Sequence, residues 1–246
     1  MKLILSEEQQ FLKDTAKSFA RDKTPTTHFR KLRDDENTKC WDDSIWQEMV
    51  QLGWSGILVP EEFGGSDFGI AGISVIMQEL GKTLTPSPIL ATSVLGVSTI
   101  NLLGSQEQKE KYLPKIVSGD VTTALAIDEG NHHSPLDIEA TAILKGDKWS
   151  LNGQKVFIID GASADYILIV ARTSGKKGES NGLSVFVSEK NSEGLEISKI
   201  STADCRNYSN LKMNNLVLEG NALLGEVDTA GEIIEKVLDL GRIAIA

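Results

Sequence analysis

Apolar positions recur at helical spacing through the first half of the chain. In "SEEQQFLKDTAKSFARDK" the residues Phe11, Leu12, Thr15, Ala16 and Phe19 share one face, with acids early and bases late as a helix dipole favours. "DDSIWQEMVQLG" predicts a second helix, ending at Gly53. "ISVIMQELGK" and "PSPILATSVLGVSTINLLG" predict two more, apolar on most sides and therefore central to a bundle. "SQEQKEKYLPKIVSG" opens with Ser105 and Gln108 at capping-box spacing and stops at Gly119. Residues 1–119 thus read as an all-α bundle of about five helices.

After Asp120 the texture changes to short alternating or Val/Ile-rich runs separated by turn pairs, the mark of antiparallel strands. "DIEATAILKGDKWSLNGQKVFIID" holds two turn pairs, Gly146-Asp147 and Asn152-Gly153, and the second is the stronger hairpin signal. "DYILIVAR", "GLSVFVSE", "LEISKI" and "LKMNNLVLE" continue the series, and the loop "RTSGKKGESNG" reads as polar and mobile. Residues 120–226 should form a β-barrel or sandwich. Over residues 227–246 the helical period returns, with Ile233, Ile234, Val237, Leu238 and Leu240 on one face. Its last turn, "IAIA", has no cap and no polar exit, which predicts the first helix of a C-terminal helical domain truncated here. The alternative is that this turn packs on the bundle or on a partner. The fold class expected is α+β: an all-α bundle, an antiparallel β-barrel domain and the start of a second helical domain.

Composition narrows the partners. The 246 residues carry 35 acids against 25 bases, a net charge of -10 with no basic run, so nucleic acid is not expected as a partner. No run approaches the roughly eighteen apolar residues of a membrane span, and "MKLILSEEQQ" turns polar too soon for a signal peptide. Cys40 and Cys205 lie far apart without a CxxC pattern, which indicates neither a disulfide framework nor a zinc knuckle and fits a cytoplasmic location.

One stretch stands out chemically. "AIDEGNHHSP" (126–135) sets His132 and His133 beside Asp128 and Glu129. Adjacent imidazoles on an extended loop point to opposite sides, so a convergent metal site is not expected. An Asp128–His132 dyad is geometrically open, against the simpler reading of a solvated polar loop. His28 reads as a surface residue, and Trp41, Trp46 and Trp54 as core. "EEFGG" is either a turn and nothing more or a neighbour of a substrate.

Four stretches in this order resemble the acyl-CoA dehydrogenases: "LGWSGILVPEEFGG" with "QELGK", "GSQEQKEKYLPKIVSGD", "LNGQKVFIIDGASADYILIVART" and "LLGEVDTAGEIIEKVLDLGRIAIA". The resemblance implies a helical domain, a β-barrel and a C-terminal four-helix bundle, with FAD between barrel and bundle at a dimer interface. It also implies oxidation of an acyl-CoA thioester to the 2,3-enoyl-CoA. A base must remove the α-proton while the flavin accepts the β-hydrogen as hydride. In most of the family that base is a Glu of the C-terminal bundle; in some branches it precedes the arginine matched here by Arg242. That position is Gly241 in this chain. No catalytic base is therefore recognised, and Arg242, a candidate substrate contact, stays protonated.

The resemblance also places "AIDEGNHHSP" on the family's flavin loop, an "ALTEPxAGSD"-like run. Ile127 stands at the threonine position, Asp128 replaces Glu, Glu129 replaces Pro, and His132-His133 replace Gly-Ser. In the next strand Phe157 takes the flavin-stacking tryptophan position and Ile159 a threonine position. The expected cofactor contacts are thus the backbone of Ala126, Ile127 and Asp128, with His133, Phe157, Ile158 and Ile159. Three side-chain hydroxyls are lost together, which weakens FAD binding without abolishing it.

Three functions follow from these readings. The chain is part of an FAD-dependent acyl-CoA dehydrogenase acting on an acyl-CoA substrate. Alternatively it is a non-catalytic subunit paired with an active acyl-CoA dehydrogenase in a hetero-oligomer. The third reading is a non-catalytic module that binds CoA esters or a protein partner.

Overall fold

The computed structural model describes residues 4–34, 39–204 and 206–246, so Cys205 lies outside the described residues. Helix α1 (Glu7–Lys23) opens on a complete capping box between Ser6 and Gln9 and buries Ala16, Phe19 and Ala20. Phe11, expected on that buried face, is 75% exposed. The stripe begins instead with half-buried Leu12, because the face that meets α4 is centred on Ala16 and Ala20. Helix α2 (Thr26–Asp34) buries no residue, which is why no apolar period announced it. Helices α3 (Asp43–Gln51) and α4 (Ile70–Lys82) follow. The central apolar segment is a π-helical stretch, Ile89–Gly96, running into α5 (Val97–Leu103), and all eight π-helical residues are buried as expected. Helix α6 (Gln106–Val117) carries the predicted Ser105–Gln108 capping box.

Trp41, Trp46 and Trp54 are all buried, and Trp54 meets Phe19 edge-on at 5.1 Å. His28 departs from the surface reading: it is half-buried, and its Nε2 is buried without a hydrogen-bond partner.

The strands are β1 (Thr123–Ala126), β2 (Thr141–Lys145), β3 (Lys148–Ile159), β4 (Tyr166–Arg172), β5 (Leu183–Glu189), β6 (Leu195–Ile200), β7 (Tyr208–Glu219) and β8 (Leu223–Leu224). They pair in the order β6-β7-β3-β2-β4-β5-β8, with β1 added parallel to β4. The pairing is mainly antiparallel as expected, but among the described residues the sheet does not close into a barrel: β6 and β8 end the path.

The β2–β3 hairpin turns at Gly146-Asp147, not at Asn152-Gly153, which lies inside β3. Gly153 has φ 136°, sits at a register shift against β7, and any Cβ there would lie 2.7 Å from Ala140. Its glycine serves a bulge and a close backbone approach rather than a turn.

Helix α7 (Gly231–Ile245) returns to pack on α4, α5 and the π-helical stretch, burying Ile234, Val237, Gly241 and Ala244. Its last turn is divided, with Ala244 buried but Ile243 and Ile245 exposed. Among the described residues no helix is long and apolar enough to cross a membrane.

Candidate functional site

Strand β3 carries one half of the site. A register shift between Lys155 and Ile158 breaks its alternation, and Phe157 takes φ 52°. The consequence is that Ile158 turns into the core while the Phe157 ring stays 57% exposed, edge-on to Tyr208 at 6.1 Å. The Phe157 N–H is held by Asn210 Oδ1 at 3.3 Å. Ile159, half-buried, packs against the helical core.

Strand β1 supplies the other half, delivering buried Ala126 and Ile127 into the loop. Val156 N–H donates to Asp128 O at 2.7 Å, which fixes the loop beside β3. Lys155, fully buried, donates to Ile127 O at 2.9 Å and to Glu129 Oε1 at 2.7 Å. Glu129 also accepts the amides of Glu139 at 2.7 Å and Ala140 at 3.0 Å. Burial pushes the Lys155 ammonium down to about 8, while the Glu129 carboxylate opposes that shift. The loop is therefore anchored from below by a buried ion pair that sequence reasoning did not find. A lysine two residues before Phe157 is ordinary surface in the alternation of a strand; only the tertiary position of Glu129 makes it a core residue.

Asp128 turns to the outer side of the loop. Its Oδ2 meets His133 Nδ1 at 2.8 Å and its Oδ1 accepts Ser134 N–H at 3.0 Å. His133 Nε2 lies 3.5 Å from Arg242 Nη2, and Arg242 Nη1 donates to Asp239 at 2.6 Å. The neutral tautomer with hydrogen on Nδ1 satisfies both contacts of His133, donating to Asp128 and accepting from the guanidinium. Arg242 and His133, separated by 109 residues, thus converge at one edge of the loop. The acid's partner is His133 and not His132. His132 lines a small cavity on another side with Asp137, Glu139 and Lys177, as expected for adjacent residues of an extended segment.

Ile127 is buried in the core and Ile159 packs against the helical core, and at Gly241 a Cβ would lie 2.8 Å from Leu95 Cδ2 of the π-helical stretch. "EEFGG" forms a short 3₁₀ turn, Glu61–Phe63, with Phe63 in the core. The loop after β4, expected to be mobile, is gathered around buried Arg172. That guanidinium donates to the carbonyls of Leu136, Ile138, Ser174, Glu179 and Asn181, so it also ties down the far end of the 126–138 loop. Among the described residues no three His, Cys, Asp or Glu side chains are placed to hold a metal ion.

Residues 6–120 match the N-terminal domain of acyl-CoA dehydrogenases, and residues 124–219 match their middle domain. The short-chain specific acyl-CoA dehydrogenase of Clostridium acetobutylicum is 29% identical over 98% of this chain. The butyryl-CoA dehydrogenase of Megasphaera elsdenii superposes with a TM-score of 0.87 at 25% identity, covering 99% of this chain and 65% of that one. A glutaryl-CoA dehydrogenase in complex with glutaryl-CoA gives 0.85 at 29% identity, covering 99% of this chain and 63% of that one. The chain spans 64% of the length of the Clostridium protein.

Proposed function

The chain belongs to the acyl-CoA dehydrogenase family, and on that premise we propose that it serves the α,β-dehydrogenation of an acyl-CoA thioester, in an assembly that completes the site. The observation that carries this reading is that the 126–134 loop meets both the bulged Phe157 segment and Arg242. When bound, FAD supplies the hydride acceptor.

The residues present fit a flavin in part. The exposed Phe157 ring, supported edge-on by Tyr208, offers an open aromatic face, and the backbone of Ala126 to Asp128 runs beside it. Ile127 and Ile159 add no donors, and the carboxylates of Asp128 and Glu129 are spent on His133, Ser134, Lys155 and two amides. FAD is therefore held more weakly than a hydroxyl-lined loop would hold it. Arg242, exposed and permanently cationic though paired with Asp239 and Glu235, is the candidate contact for an anionic part of the acyl-CoA. Position 241 cannot supply the base, because it is glycine packed on Leu95. The base of this reading is a carboxylate other than those of the 126–134 loop.

A second reading, a non-catalytic subunit shaping the site of an active partner in a hetero-oligomer, is favoured by the same engaged carboxylates. The two readings separate on reconstitution with FAD and addition of butyryl-CoA. Bleaching of the flavin by this protein without a second gene product supports the first. Bleaching only in a stable complex with a second acyl-CoA dehydrogenase subunit supports the other, and no bleaching in either case would overturn both.

A further inference from the structure

A cavity of about 420 Å³ lies where the helical part meets the end of β3. Its walls include Phe29, Trp41, Met77, Leu80, Leu84 and Leu90, the size and character of a small-molecule pocket. One wall is Asp160, only 6% exposed, whose Oδ2 is buried without a hydrogen-bond partner. Of the other polar residues on its walls, Asp204 and Arg206 are exposed and Ser87 is half-buried, while Asn207 and Thr85 are already used. Asn207 donates to Lys39 O at 2.9 Å and Ser163 Oγ at 2.8 Å and accepts from Ala162 N–H at 3.2 Å. Thr85 Oγ1 is hydrogen-bonded to the hydroxyls of Thr24 at 2.7 Å and Thr83 at 2.8 Å.

We propose that this cavity is a binding site for a compact, largely apolar ligand carrying one hydroxyl, which bonds to the Asp160 carboxyl. The local backbone does not require a carboxyl there. Asp160 has φ 57°, a left-handed conformation that glycine or asparagine would hold equally, so the acid group adds only its oxygens. Buried polar groups are almost always satisfied, and a buried acceptor left unpaired in the cavity wall fits a polar group on the occupant. Burial pushes this carboxyl up to about 7, against the pull of Arg206, so near neutrality it offers either a proton or a lone pair. A hydroxyl, both donor and acceptor, pairs with either form. The inference does not depend on the flavin reading.

The test uses 4-propylphenol and propylbenzene as probes in calorimetric titration of the full chain. Wild type is expected to bind the phenol at least tenfold more tightly than the hydrocarbon, since a site built around a polar group discriminates against a ligand that leaves it unpaired. Gly81→Leu fills the cavity. Gly81 lines it, a Cβ there meets nothing within 4 Å, and leucine suits the last turn of α4 better than glycine. This variant should fold normally by circular dichroism and lose at least tenfold in phenol affinity. Asp160→Ala should bring the two probes to within threefold, and Asp160→Asn should keep the preference. Equal binding of both probes by wild type, no saturable phenol binding, or a folded Gly81→Leu variant that binds as wild type would each overturn the proposal.

Discussion

Asp160 should make the protein less stable as pH rises. The carboxyl is buried, one oxygen is unpaired, and desolvation raises it from 3.8 to about 7. Between those values the folded chain holds a proton that the unfolded chain has released, so the stability slope with pH is negative. The contribution is neutral below about 4, falls progressively above it, and levels off above about 7 at a loss of about 4 kcal/mol. Asp160→Asn keeps the size and the tolerance of positive φ but cannot ionise. In urea unfolding, the stability of the Asn variant relative to wild type should rise by about 2–3 kcal/mol between pH 5 and pH 8. All other titrating groups are common to the two proteins and cancel. A difference between variant and wild type that is the same at both pH values would mean instead that Asp160 ionises freely in the folded chain.

Two further perturbations probe the loop and position 241. Lys155→Met strands the Glu129 carboxylate, 11% exposed, beneath the loop, and should cost about 3–5 kcal/mol in urea unfolding; adding Glu129→Gln should recover part of that, whereas equal losses for single and double variants would contradict the pairing. Gly241→Glu places a Cβ 2.8 Å from Leu95 Cδ2 and should destabilise by about 1–3 kcal/mol. In the Leu95→Ala background the same change should cost less, and an unchanged cost would show that the clash is not with Leu95.

What the sequence disclosed follows from how local each signal is. The Ser105–Gln108 cap, the buried "PILATSVLG" segment and the three tryptophans depend on neighbours a turn away, and the structure holds them as read. Phe11 misled because period alone cannot say which edge of an apolar stripe meets the neighbouring helix. Asn152-Gly153 misled because the same dipeptide serves a turn or a bulge, and the deciding contact, with Ala140, is tertiary. At the site, the family resemblance marked the loop, Phe157 and Arg242 as candidates, whereas the contacts of the loop with Val156 and with Arg242 came only from the fold. The charges that organise it were not. Lys155, Arg172 and Asp160 look like surface residues of strands and turns, and each becomes structural only through partners or packing more distant in the chain.

On the proposed reading, Ile127 and Ile159 stand where a flavin-binding site of this family carries threonine hydroxyls. The most direct measurement is the FAD dissociation constant of wild type against the Ile127→Thr/Ile159→Thr double variant, followed by flavin fluorescence. Two restored hydrogen bonds at about 1 kcal/mol each predict binding tighter by roughly tenfold or more in the double variant. Equal affinity in the two proteins would mean that positions 127 and 159 do not meet the flavin.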